Sequence, residues 1–256
     1  MTAKTLALAA NTFREARRDR VQWVLLVYAI VVLGGAYILS PISLGESYRV
    51  TRDLGLAALS IVGLLMIVLV GGGLVQKEID RRTIFTILAK PVRRGEFLVG
   101  KYLGLMAMVV CIFGGMLGFL LLVVFLNEGK IEPAVVMAGV FTLGEFAVLT
   151  AVVVAFSSFA SPVLASCFTL GLFVMGSFSQ DLLRFAERAP SAGLAMAARA
   201  FYLVLPHLYV FDRRADAAYG VLPTGGEVLG ALVYAVLYSA ALLAAATVIL
   251  SRREFK

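Results

Sequence analysis

Residues 134–178 contain a single charged side chain, Glu145. As one continuous helix this stretch would be about 68 Å long, more than twice the apolar thickness of a bilayer. It has to turn back on itself. Ser157-Ser158-Phe159-Ala160-Ser161-Pro162 is the best cluster of turn formers within it, so one span ends there and a shorter one, 162–178, begins. Further apolar blocks of crossing length lie at 21–39, 54–75, 102–126 and 228–250. With 61% hydrophobic residues and a mean hydropathy of +0.95, the chain is far more apolar than a soluble domain of 256 residues. The expected fold is an all-α polytopic membrane protein with six transmembrane helices, forming a single transmembrane domain.

Lys and Arg set the orientation. The N-terminus, the segment 76–101 and the C-terminal tail hold 15 of them, against 8 in the three intervening loops. Basic residues collect on the cytoplasmic side, so both termini and 76–101 are expected there. A seventh span at 192–211 would carry the tail Ser251-Arg252-Arg253-Glu254-Phe255-Lys256 to the wrong side. That piece is interrupted by Arg199, Pro206 and His207. The region 180–227 is therefore expected as extracytoplasmic helical segments lying at, or dipping into, the membrane. The net charge of +7 follows from the same rule, and no nucleic-acid partner is expected.

Residues 1–20 carry five basic groups, while Leu6, Ala9, Ala10, Phe13 and Ala16 recur at helical spacing. This predicts an interfacial amphipathic helix. The segment 76–101 is the strongly basic connection between two spans. Ile79, Ile84, Ile87 and Leu88 give it an apolar stripe, Pro91 breaks it, and Phe97 opens a second apolar turn. A bent, charged, amphipathic hairpin fixed at both ends suits docking on a soluble partner.

Several motifs have plainer readings. Gly95…Gly100-Lys101-Tyr102 approaches a phosphate-binding loop, but Tyr102 stands where the magnesium-binding hydroxyl belongs and no strand precedes it. A helix-packing glycine beside a snorkelling lysine is expected instead, and no nucleotide site on this chain. Gly100/Gly104 and Gly114/Gly118 are four-residue pairs that allow close helix approach. Cys111 and Cys167 lie in apolar blocks and read as small packing residues; with His207 as the sole histidine, no metal spacing exists. Glu145 stands near the middle of a span, where a carboxylate costs about 2.5–3.5 kcal/mol to insert. No Lys or Arg falls inside a predicted span to pair with it. It lines a polar path, or it makes a buried interhelical hydrogen bond. His207 with Ser177 or Ser179 is a remote alternative, an intramembrane serine protease dyad.

The hairpin, read as Glu78…Arg82-Thr83-Ile84…Leu88-Ala89-Lys90-Pro91…Arg94-Gly95-Glu96-Phe97…Gly100-Lys101-Tyr102-Leu103-Gly104, resembles the cytoplasmic loop of type-2 ABC transporter permeases. Leu205-Pro206-His207-Leu208-Tyr209-Val210-Phe211-Asp212 followed by Tyr219-Gly220 is similar to the NosY-like branch, linked to multicopper enzyme maturation; His207 departs from the Asn expected there. The resemblance implies a non-enzymatic permease subunit in the bacterial inner membrane. It pairs with a second copy and docks on a separate cytoplasmic ATP-binding subunit that holds ATP and Mg, so no cofactor is expected on this chain. The coupling helix would be 77–89. Glu78, Arg81, Arg82, Ile84, Ile87, Leu88, Arg93, Arg94 and Phe97 are the docking residues implied, and Glu145 is the intramembrane pathway residue. Membrane lipid and a periplasmic accessory protein complete the expected partners. The alternative role is a non-transporting subunit that passes ATP-driven motion to an extracytoplasmic assembly. Lipid, polysaccharide, peptide, drug and sulfur species all remain open as substrates.

Overall fold

The structure is a computed structural model that describes residues 3–18, 21–39, 47–74, 94–189 and 191–252. Among these residues it is helical throughout, with no strand. The helices are α1 (Ala3–Arg18), α2 (Val21–Leu39), α3 (Ser47–Gly71), α4 (Arg94–Glu128), α5 (Pro133–Ser157), α6 (Pro162–Ser177), α7 (Ser179–Arg188), α8 (Ala192–Val204), α9 (Arg214–Ala218) and α10 (Gly225–Arg252). A 3-10 turn, Leu208–Phe211, joins α8 to α9. Four helices, α3, α4, α5 and α10, are long and apolar enough to cross a membrane. The number rises to as many as six if the bent pairs α6–α7 and α8–α9 each count as one span. The 19-residue α2 matches the first predicted apolar block residue for residue.

The central helix is α5. It packs against α3, α4, α6, α9, α10 and the 3-10 turn. Its apolar stretch is 72% buried, whereas that of α10 is 22% buried. The outward surface of α10 carries Leu229, Val236 and Leu237, which a water-facing helix would not present together. The turn after α5 falls where the serine cluster predicts: Ser157 and Ser158 bond back to Val154 and Ala155, and Pro162 opens α6.

Two boundaries and one packing assignment differ from expectation. Helix α3 begins at Ser47, inside the stretch read as a loop. Its early charge is internally satisfied: Arg52, only 4% exposed, grips Glu128 through two hydrogen bonds and reaches Glu132 at 3.2 Å. A paired cation no longer ends the helix. Helix α4 begins at Arg94, so residues 94–101 are the first turns of a 35-residue rod rather than a separate turn of the hairpin. That rod is about 52 Å long and outruns the apolar slab. Cys111 and Cys167 face outward and are not packing residues within this chain.

The N-terminal helix forms as predicted, and its partner is α4. A Cβ built at Gly100 would lie 2.8 Å from Leu8, and one at Gly104 only 2.6 Å from the Ala9 carbonyl oxygen. The first glycine pair thus receives α1 inside the same chain. Lys101 is fully buried beside this contact, with its ammonium 5.9 Å from the Phe97 ring, so it does not snorkel. Nothing approaches Gly114 or Gly118 within 4 Å.

Candidate functional site

Glu145 is the thirteenth residue of α5, about 18 Å along the helix from Pro133. It is 9% exposed. Its carboxylate faces a cavity of about 80 Å³ lined by Ser60 and Ile61 of α3, Thr142 of α5, Phe173 and Ser177 of α6, and Leu208, Tyr209, Phe211, Asp212 and Arg214. Four separate parts of the chain converge on one small polar space.

The segment 206–214 reaches this depth because two glycines admit it. A Cβ at Gly144 would stand 2.7 Å from the Phe211 ring, and one at Gly176 would stand 2.7 Å from the Pro206 carbonyl oxygen. At the other end, Gly220 adopts φ +73° beside Glu132, one residue before α5 begins. The chain therefore climbs along α5 from the level of Gly144 to that of Glu132. This course lays the segment along α5 over several of its turns.

The residue that sequence reasoning missed is Arg214. It lies outside every predicted span, yet it shares the cavity with Glu145 and acts on it electrostatically, while Asp212 opposes it. Arg214 is itself engaged in a fork: Nε and NH2 each donate to Asp212 at 2.8 Å. The sequence signal was weak, an Asp-Arg-Arg triplet just beyond an apolar dip. Only the fold sets it against α5.

The hydroxyls are ordered by the helices that carry them. Thr142 donates to the Ala138 carbonyl and Ser177 to that of Phe173, each at 2.9 Å. Ser179 likewise donates to Gly176 at 2.7 Å. The His207 ring instead sits among Tyr202, Tyr209 and Tyr234; its Nδ1 lies 3.4 Å from the Tyr234 hydroxyl and its Nε2 is buried without a partner. Neither serine pairs with it, and the protease dyad is withdrawn.

Of the docking residues implied by the hairpin, Glu78, Arg81, Arg82, Ile84, Ile87, Leu88 and Arg93 lie outside the described residues. Arg94 donates to the carbonyl of Leu250, a cation set at the C-terminal end of α10. Phe97 is 3% exposed and packs in the hydrophobic core.

A bundle of long apolar helices, an N-terminal helix laid on α4 and a basic connection ahead of it narrow the family. A family model described as ABC-2 family transporter protein matches residues 6–255. The chain belongs to that family. It is a membrane-embedded, multi-pass subunit of an ABC transporter, and membership implies association with an ATP-binding subunit. The search of curated proteins found no match.

Proposed function

We propose that this ABC-2 subunit couples ATP hydrolysis by a separate cytoplasmic motor to export across the bacterial inner membrane, as one of two identical permease chains. In this reading six spans carry both termini on the cytoplasmic side, and the segment 77–89 is the coupling helix. Ile84, Ile87 and Leu88 enter the motor's groove, while Arg81, Arg82 and Arg93 meet its acidic groups or lipid phosphates. The NosY-like motifs point to a periplasmic metal-maturation protein as the accessory partner.

One observation carries the coupling. The basic connection leads directly into α4, a 35-residue helix that begins at Arg94 and continues to Glu128. Force applied at the connection reaches the far side of the membrane through one rigid element, without slack. Arg94 ties the same point to the end of α10, and α1 is laid along the first turns. Glu145 and its cavity then line the pathway that the motion opens.

The test is reconstitution with the ATP-binding subunit that co-purifies with the wild-type chain. Ile84→Asp with Ile87→Asp is expected to abolish co-purification and to lower permease-stimulated ATPase activity at least tenfold, with membrane insertion retained. Full stimulation by the double variant would sink the coupling assignment.

A further inference from the structure

We propose that the Glu145 cavity binds a small ammonium group, the protonated amine of the molecule that this subunit handles. The argument begins with hydrogen-bond polarity. Thr142 and Ser177 have each committed their one hydroxyl proton to a backbone carbonyl of their own helix, so they offer the cavity only lone pairs. The Glu145 carboxylate is acceptor-only when ionised, and it makes no hydrogen bond or ion pair within the described residues. Three acceptors on two helices thus converge, and the donors lining the same space, Arg214 and the Tyr209 hydroxyl, make no hydrogen bond to Glu145 within the described residues.

Charge points the same way. Arg214 is forked onto Asp212, which leaves that pair formally neutral. Ionised, Glu145 would be attracted by the guanidinium of that pair and repelled by its carboxylate, so its charge would stay only partly compensated in a nine-tenths-buried site. A buried charge of this kind is costly unless it is paired and hydrogen-bonded. A ligand bearing one positive charge and several N–H donors answers both needs at once. Ser60, which makes no hydrogen bond within the described residues, supplies a further oxygen from α3.

Size and ligand type narrow the class. A cavity of about 80 Å³ has room for a –CH2–NH3+ head and excludes a quaternary ammonium. Among the described residues no group of three or more His, Cys, Asp or Glu is placed to hold a metal ion, which argues against a divalent cation. The aliphatic wall, Ile61, Phe173, Leu208 and Phe211, suits the carbon stem of an amine. This inference gives a substrate class to the pathway reading of Glu145 and rests on it. The test uses the permease chain alone, so a failed motor assay leaves it unaffected.

The experiment is thermal unfolding of the full chain in lipid nanodiscs at fixed ionic strength, titrated with methylammonium, sodium or choline chloride. Methylammonium is expected to raise the melting temperature with saturation, and choline to leave it unchanged. Glu145→Gln is expected to abolish the methylammonium response. Ser177→Ala, which removes one acceptor beside an intact carboxylate, is expected to weaken apparent affinity about tenfold, as loss of a charged hydrogen bond does. The Ser177→Ala titration decides the matter should the Glu145 variant not insert. An absent wild-type response, an equal response in Glu145→Gln, or unchanged affinity in Ser177→Ala would overturn the site. Sodium matching methylammonium would overturn the N–H requirement and with it the ammonium assignment.

Discussion

Charged residues inside this bundle are placed by what they meet, and Arg52 shows the consequence most directly. Its guanidinium joins α3 to both acidic residues of the α4–α5 connection, with all three side chains mostly withdrawn from water. Arg52→Ala leaves Glu128 without its ion-pair partner and Glu132 with only the exposed Lys130 at 3.5 Å, so a loss of about 3 kcal/mol is expected. Removing all three charges together, with Arg52→Met, Glu128→Gln and Glu132→Gln, is expected to restore most of it. Thermal unfolding of the purified variants checks both, and an Arg52→Ala protein as stable as the parent would refute the buried clamp. Lys101 makes the same point differently. From sequence it reads as a boundary lysine free to reach water. In the structure it is fully buried, with its ammonium 5.9 Å from the Phe97 ring.

At the scale of elements, the decisive contact is α1 on α4. Gly104 is where the two backbones approach, with Thr12 Cβ 2.5 Å from the position a Cβ would take. Gly104→Leu cannot be accommodated by a rotamer change, because the Ala9 carbonyl also stands in the way. The variant is expected to cost about 1–3 kcal/mol and to lift α1 from the bundle. Limited trypsin digestion should then cut at Arg14 at least several times faster. Gly118→Leu is the matched control, since open space surrounds that glycine and no change is expected. Equal digestion of the two variants would show that α1 is held by something else. The same spacing rule flagged both pairs. It could not say that one pair takes a helix of its own chain while the other faces outward.

For the whole molecule, the proposed topology gives a prediction independent of the motor. In a chain with Cys111 and Cys167 replaced by Ala, a cysteine at Lys4 or Lys256 should label only from the cytoplasmic side, and one at Lys130 only from outside. Labelling of Lys256→Cys from outside would mean an odd number of spans and would remove the common side for the hairpin and tail. The load path inferred for ATP coupling depends on that shared side, because the basic connection, the start of α4 and the end of α10 must meet one cytoplasmic subunit.

Composition and period alone determined that this chain crosses a membrane as helices, that it turns at Ser157–Pro162, and that its first helix is amphipathic. Those properties depend on neighbours within a few turns, which hydropathy and turn chemistry read directly. Tertiary packing alone decided that Arg52 continues a helix, that Gly100 and Gly104 are consumed by α1, and that Arg214 meets Glu145 across 69 residues of chain. Each of these needs the position of a distant partner. The cost of burying a charge says only that it needs compensation; the fold supplies that to Arg52 as Glu128 and Glu132, and sets Glu145 in a shared cavity without a hydrogen-bonded partner among the described residues.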